Sequence, residues 1–120
     1  MFWMKIMSDT IFSKIIDGEI PCDKVYEDEE FIAFKDIKPM APVHILIIPK
    51  RRDIASLQSI PPSDMNILAG VGRIAQKLAV DFGIEDSGYR LVTNVGPDSR
   101  REVEHLHFHL IGGRYLGSIG

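Results

Sequence analysis

The chain has 120 residues, 45% of them hydrophobic and 26% charged, with a formal net charge of −3. These values fit one globular domain with its own core, and the negative balance argues against sequence-independent binding of nucleic acid polymers. The single cysteine, Cys22, excludes an intrachain disulfide and fits a reducing compartment, which predicts a cytoplasmic protein. No apolar run approaches the roughly 20 residues that cross a bilayer, so no membrane association is expected.

The N-terminal stretch is apolar but short and lacks the pattern of a secretory leader. We interpret residues 1–7 as a flexible tail and residues 8–120 as a single domain. A short helix is predicted next, because apolar residues share one helical face in "TIFSKIIDGEI". Asp9 or Thr10 can cap its start, and Gly18 can end it.

Three strands are predicted after this helix. The segment "CDKVYEDEEFIAFKDI" is typical of two short strands around the acidic turn 27–30. The run "PVHILIIPK" is rich in β-branched residues and bounded by prolines, which predicts a buried strand.

The second half of the chain is predicted to hold one long helix and two strands. Apolar residues recur at helical spacing from Ser63 to Phe82, and Gly83 can cap the helix end. "GYRLVTNVG" and "VEHLHFHLIGG" are each typical of a strand followed by a turn. The expected fold class is therefore α+β, a five-stranded antiparallel sheet with one long and one short helix.

Three of the four histidines lie in the stretch "EVEHLHFHLIGG". Successive side chains of a strand point to opposite faces, so His105, His107 and His109 share one face. The alternating apolar residues then face the long helix; they are Leu106, Phe108 and Leu110.

Three interpretations of this histidine pattern are open from the residues alone. Histidines can be structural, but three in strict alternation among only four make this the weakest reading. Two neutral imidazoles about 6.5–7 Å apart along a strand can converge on zinc, with further ligands from elsewhere. An imidazole with an ordinary pKa near 6.5 is also a neutral nucleophile at neutral pH, and phosphorus is a natural target for it.

The pattern "HLHFHLI" resembles the signature of the histidine triad (HIT) family. Three further blocks resemble the Hint branch of that family in the same order: "DTIFSKIIDGEIP", "FIAFKDIKPMAPVHILIIPK" and "GYRLVTNVG". The resemblance covers nearly everything from Ser8 to Arg114, so residues 8–120 are expected to form one HIT domain.

The resemblance implies a role for every histidine of the chain. His107 matches the nucleophile that takes a nucleoside monophosphate from its leaving group, and His105 matches the residue that orients it. His109 matches the residue that contacts the scissile bridging atom. His44 matches the fourth family histidine, which supports the triad.

A nucleotide site follows from the same resemblance. Asp36 matches the carboxylate that accepts hydrogen bonds from the ribose hydroxyls, and Asn94 matches a polar residue near the phosphate. The residues that match the apolar clamp around the purine are Phe12, Ile15, Phe34, Ile37 and Leu46. Val103, which precedes the triad, is a further candidate for nucleotide binding.

One loop departs from the family pattern. Arg100 and Arg101 occupy positions where relatives commonly carry Gly-Gln, and Glu102 replaces a small hydroxyl residue. A solvated charged loop is one reading. The other is that Arg100 or Arg101 contacts the phosphate or an anionic leaving group.

The function implied is that of a nucleotide hydrolase, a purine nucleoside phosphoramidase that releases AMP or GMP through a nucleotidyl-histidine intermediate. The resemblance also implies a homodimer. The implied reaction requires neither a metal nor an organic cofactor. Two alternatives are a dinucleoside polyphosphate hydrolase and a module that binds purine nucleotides or a partner with little turnover.

Overall fold

The computed structural model of the chain describes residues 10–101 and 103–119. Helix α1 (Ile11–Ile16) begins after Thr10, whose hydroxyl accepts a hydrogen bond from the Ser13 amide at 3.3 Å. The Ser13 hydroxyl in turn accepts one from the Thr10 amide at 2.8 Å, which satisfies both backbone donors. Thr10 is thus the cap. The predicted tail over residues 1–7 and the alternative cap Asp9 lie outside the described residues.

Five antiparallel strands form one sheet in the order β1-β2-β3-β5-β4. Strands β3 and β5 are central, and they pair from Val43 opposite Gly112 to Ile47 opposite Phe108. The predicted five-stranded antiparallel sheet is confirmed. The strand bounds are β1 (Lys24–Glu27), β2 (Phe31–Lys35), β3 (Val43–Pro49), β4 (Tyr89–Val92) and β5 (Phe108–Gly112).

The long helix α2 (Asn66–Asp81) begins three residues later than the sequence predicts. A short 3-10 turn, Pro62–Asp64, precedes it, and the fixed dihedral of proline suits the start of such a turn. The helix ends at Asp81 with Phe82 as its C-cap, and Gly83 follows with φ +69°, the left-handed geometry that favours glycine at this position.

The two faces of the sheet bury different residues. Residues paired across antiparallel strands share a face, so Ile45 and Leu110 lie under α2, whereas Leu46 and His109 lie on the opposite face. On that opposite face a second buried cluster, here called the apolar floor, lies between α1 and the sheet. The apolar floor consists of Phe12, Ile32, Phe34, Leu46 and Ile48.

The last strand is shorter than predicted, because β5 begins at Phe108 rather than Val103. The residues before it bond to other groups. The Leu106 amide donates to the Ile54 carbonyl at 2.9 Å, and the Thr93 hydroxyl donates to the His107 carbonyl at 2.7 Å.

Among the described residues, no helix is both long and apolar enough to cross a bilayer.

Candidate active site

The three predicted triad histidines lie together on the α1 face of the sheet. The His107 ring centroid is 5.0 Å from that of Phe12 and 5.2 Å from that of His109. The His105 ring lies 6.1 Å from Phe12. The alternating apolar residues pack in the core under α2, so the predicted two-sided pattern is confirmed although only His109 lies within β5.

The His107 ring is oriented by a backbone carbonyl. Its Nδ1 lies 2.7 Å from the carbonyl oxygen of His105. A carbonyl can only accept, so the proton of neutral His107 is on Nδ1 and the lone pair is on Nε2. His107 is buried, at 7% exposed, yet its free nitrogen has the protonation state that a nucleophile needs.

The His105 ring is also oriented by a backbone carbonyl, but through Nε2 and not through Nδ1. Its Nε2 lies 2.8 Å from the Pro49 carbonyl oxygen, which places the ring proton on Nε2. Its Nδ1 is buried and has no hydrogen-bond partner among the described residues. The ring is anchored to the end of β3, and the His105 carbonyl orients His107.

The other end of the cluster is held by a backbone donor. The Met40 amide donates to Nδ1 of His44 at 3.1 Å, so the proton of neutral His44 is on Nε2. That Nε2 lies 2.9 Å from Nδ1 of His109, which must therefore accept. The proton of neutral His109 is on Nε2, the opposite tautomer to that of His107.

All four histidines have pKa values below the ordinary value near 6.5. Burial is the largest cause in each case, because it disfavours the charged ring. Burial and the neighbouring His107 and His44 lower the pKa of His109 to about 4. For His107 the Arg101 guanidinium lowers the pKa further, while Asp36 opposes the shift. Neutral rings, and hence fixed tautomers, are expected at pH 7.

Asp36 joins the site at the His44 end. Its Oδ1 accepts a hydrogen bond from the Lys38 amide at 2.8 Å, and its Oδ2 lies 3.5 Å from Nε2 of His44. Asp36, His44 and His109 offer ligand atoms within 4.8 Å of one another, which a metal ion could use. An ion would have to displace the proton on His44 Nε2 that the Met40 amide favours.

Most of the residues predicted to clamp a purine belong to one cluster. Phe12, Phe34 and Leu46 are in the apolar floor, and Ile15 and Val103 pack against it. Ile37 does not join them; its side chain is 88% exposed on the loop after β2. Sequence reasoning did not assign four further residues to this cluster. Ile32 and Ile48 belong to the apolar floor, and Ile16 and Cys22 pack against it.

The loop that departs from the family pattern contains two arginines with different surroundings. The Arg101 side chain is only 18% exposed, and its Nη2 lies 2.7 Å from Glu104. Arg100 is exposed and has φ +66°, a left-handed conformation that costs most non-glycine residues on the order of 1 kcal/mol. Asn94 holds the loop, since its Nδ2 donates to the Ser99 carbonyl at 3.0 Å. Glu102 lies outside the described residues.

The groups that set the histidine tautomers were not identifiable from the sequence. They are the carbonyls of Pro49 and His105 and the amide of Met40. Every residue has a carbonyl, and every residue except proline has an amide N–H, so only their position in the fold distinguishes these groups. A cavity of about 440 Å³ between β1 and α2, lined in part by Tyr26 and Lys77, contains no histidine and is separate from this site.

Comparison with known proteins identifies the family. A HIT domain model matches residues 17–116. This chain belongs to the HIT family. A HIT-like protein of Chlamydia pneumoniae is 54% identical over 110 residues, covering 92% of this chain and 98% of its own. The purine nucleoside phosphoramidase of Escherichia coli is 46% identical over 111 residues, covering 92% of each.

A solved HIT structure has the same architecture. The HIT family hydrolase from Clostridium thermocellum superposes with a TM-score of 0.88 at 48% identity, covering 92% of this chain and 96% of its own. The α+β sheet with one long and one short helix is therefore the fold of this family.

Proposed function

We propose that this HIT protein hydrolyses purine nucleoside phosphoramidates and related nucleotidyl conjugates, releasing AMP or GMP. The observation that carries the proposal is the opposite tautomers of two adjacent histidines. His107 has a lone pair on Nε2, and His109 has a proton on Nε2, with ring centroids 5.2 Å apart. A nucleophile and a hydrogen-bond donor side by side are what displacement at phosphorus requires.

The reaction takes two displacements. Nε2 of His107 forms a bond to the α-phosphorus while the phosphorus–nitrogen bond breaks, and that electron pair stays on the leaving nitrogen. The leaving nitrogen takes a proton from Nε2 of His109, which regains one from solvent. Water then attacks phosphorus, the bond to His107 breaks, its electron pair returns to Nε2, and one proton is released. The sum consumes one water and gives a nucleoside monophosphate and an amine.

The nucleotide is proposed to lie on the apolar floor. The base is proposed to pack against Phe12, Phe34 and Leu46, next to the His107 ring. The Asp36 carboxylate is proposed to accept the ribose hydroxyls, since it has two acceptor oxygens and is partly exposed. Arg101 is proposed to contact the phosphate or an anionic leaving group. Ile37 contacts the base only if its exposed loop closes over the ligand.

A covalent adduct tests the mechanism. We expect a nucleotidyl group on His107 when the protein is mixed with an adenosine phosphoramidate, quenched in alkaline denaturant and mapped by mass spectrometry. Alkaline conditions are needed because a phosphorus–histidine bond is labile in acid. Binding of AMP without adduct or turnover would replace this proposal with a binding module. Faster turnover of a diadenosine polyphosphate would favour the polyphosphate hydrolase, and loss of activity with a chelator would favour a zinc site.

A homodimer is also proposed, through the free edge of β4. Tyr89 and Leu91 on that edge strand are 37% and 41% exposed, which is high for large apolar side chains on the α2 side of the sheet. Gly70 is not available for a helix contact, because a Cβ there would lie 2.8 Å from the Phe31 ring. A single sedimenting species of twice the chain mass would support the dimer.

The unpaired thiol of Cys22 supports a cytoplasmic location.

A further inference from the structure

The loop between β2 and β3, residues 36–42, carries the amide that sets the tautomer of His44. Few apolar contacts hold this loop, since Ile37 is 88% and Met40 68% exposed. Polar contacts hold it instead. The Asp36 amide donates to the His44 carbonyl at 2.9 Å, and the Lys38 amide donates to Asp36 at 2.8 Å.

A further contact reaches this loop from the far end of β5. Nη2 of Arg114 donates to the Met40 carbonyl at 2.7 Å, and Nη1 donates to the Tyr115 carbonyl at 2.8 Å. Gly113 makes the approach possible. It has φ +94°, and a Cβ there would lie 2.9 Å from the Pro42 side chain. The guanidinium thus bridges the C-terminal segment and the loop.

These contacts form one continuous path into the site. Arg114 holds the Met40 carbonyl, the Met40 amide donates to His44, and His44 donates to His109. A backbone amide cannot accept, so a Met40 held in place permits only the Nε2–H tautomer of neutral His44. That tautomer in turn leaves the proton of His109 on Nε2.

We propose that Arg114 is a positioning residue for catalysis. It fixes the Met40 amide against His44 and so keeps His109 as a proton donor toward the leaving group. The inference rests on the proposed function only for its kinetic consequence; the tautomers can be measured without substrate. Its effect should depend on the leaving group, because an amine must be protonated as it departs whereas a nitrophenolate need not be.

The first experiment measures the tautomers by long-range ¹H–¹⁵N correlation of the histidine rings at pH 7.5. In the native protein we expect Nε2–H on both His44 and His109. In Arg114→Ala we expect averaged Nδ1 and Nε2 shifts for both rings, with His107 unchanged. Arg114→Lys, which keeps a cationic donor but not the planar fork of the guanidinium, should restore the native pattern in part. Native shifts for His44 and His109 in Arg114→Ala would overturn the inference.

The second experiment compares two AMP substrates, an alkylamine phosphoramidate and a nitrophenyl ester. Arg114→Ala should lower kcat for the phosphoramidate about tenfold relative to the ester, with little change in KM. Arg90→Ala is the matched control, because Arg90 also donates to a carbonyl of the C-terminal segment, at Gly117. Its ratio should stay native. Equal losses on both substrates would indicate a merely structural role and overturn the inference. No turnover of either substrate by the native protein would instead refute the proposed function, and the ring shifts would still decide the role of Arg114.

Discussion

The two ends of the histidine cluster use the same side chain and differ in the backbone group that each contacts. At one end a carbonyl, that of His105, accepts from Nδ1 of His107. At the other end an amide, that of Met40, donates to Nδ1 of His44, which passes a hydrogen bond to His109. A backbone acceptor leaves His107 with a lone pair on Nε2, and a backbone donor leaves His109 with a proton on Nε2. This difference in protonation arises from backbone polarity and not from residue type.

The largest expected effect comes from removing His107, the proposed nucleophile. His107→Asn should lower kcat/KM on the order of 10⁴-fold or more and abolish the covalent adduct, because the amide nitrogen of asparagine has no basic lone pair to attack phosphorus. The measurement is steady-state kinetics on the adenosine phosphoramidate, with AMP affinity as the check on folding. Turnover within tenfold of the native value would place the nucleophile elsewhere.

A second prediction concerns the charge of Arg101 near His107. Arg101→Gln should lower kcat/KM about tenfold for an AMP conjugate with an anionic leaving group, because a charge-assisted hydrogen bond contributes roughly 1.5–3 kcal/mol. A conjugate with a neutral amine should change less. Arg100→Gln is the matched control, since Arg100 is exposed. Equal effects of Arg101→Gln on both substrates would remove its role in selectivity.

The free energy of unfolding should depend on pH, because folding lowers the pKa values of the histidines. The folded pKa of His109 is lowered to about 4, so between about pH 6.5 and 4 the unfolded chain binds a proton that the folded protein does not. The lowered pKa values of the other three histidines act in the same direction. The free energy of unfolding should therefore fall as the pH falls through this window. The slope is about 1.4 kcal/mol per pH unit for each proton taken up on unfolding.

Denaturant titrations at pH 7, 6 and 5 measure this slope, and His109→Asn should reduce it. The acid limb of kcat/KM should likewise lie below pH 6.5, because His107 stays neutral to lower pH. An unfolding free energy that rises from pH 7 to pH 5 would contradict the burial argument.

The smallest effect is expected at Thr93, which contacts the His107 end of the cluster. Thr93→Val removes the hydroxyl that donates to the His107 carbonyl and should cost about 1 kcal/mol of stability with a severalfold loss of kcat/KM. Thr93→Ser keeps the donor and should stay close to native. The His44 and His109 ring shifts should not change; a change there would mean that the two ends are coupled.

Much of the site could be predicted because side chains of distinctive chemistry carried the signal. The alternation of His105, His107 and His109 with apolar residues was enough to assign the two faces of the sheet, since a strand has a period of two. Ile37 is the informative exception. Its apolar side chain looked like part of the purine clamp, but its loop leaves it exposed. The two arginines could not be told apart in sequence, and only the loop conformation made Arg101 the partly buried one.

The sequence by itself determined the strand and helix pattern, the triad and the family, because these depend on periodicity and on residue types within short segments. The tertiary structure alone decided which nitrogen of each histidine carries a proton. The groups that decide this are the carbonyls of Pro49 and His105 and the amide of Met40, and backbone groups of these two kinds recur along the whole chain. Such groups become specific only when folding brings one carbonyl or one amide within 3.1 Å of one imidazole nitrogen.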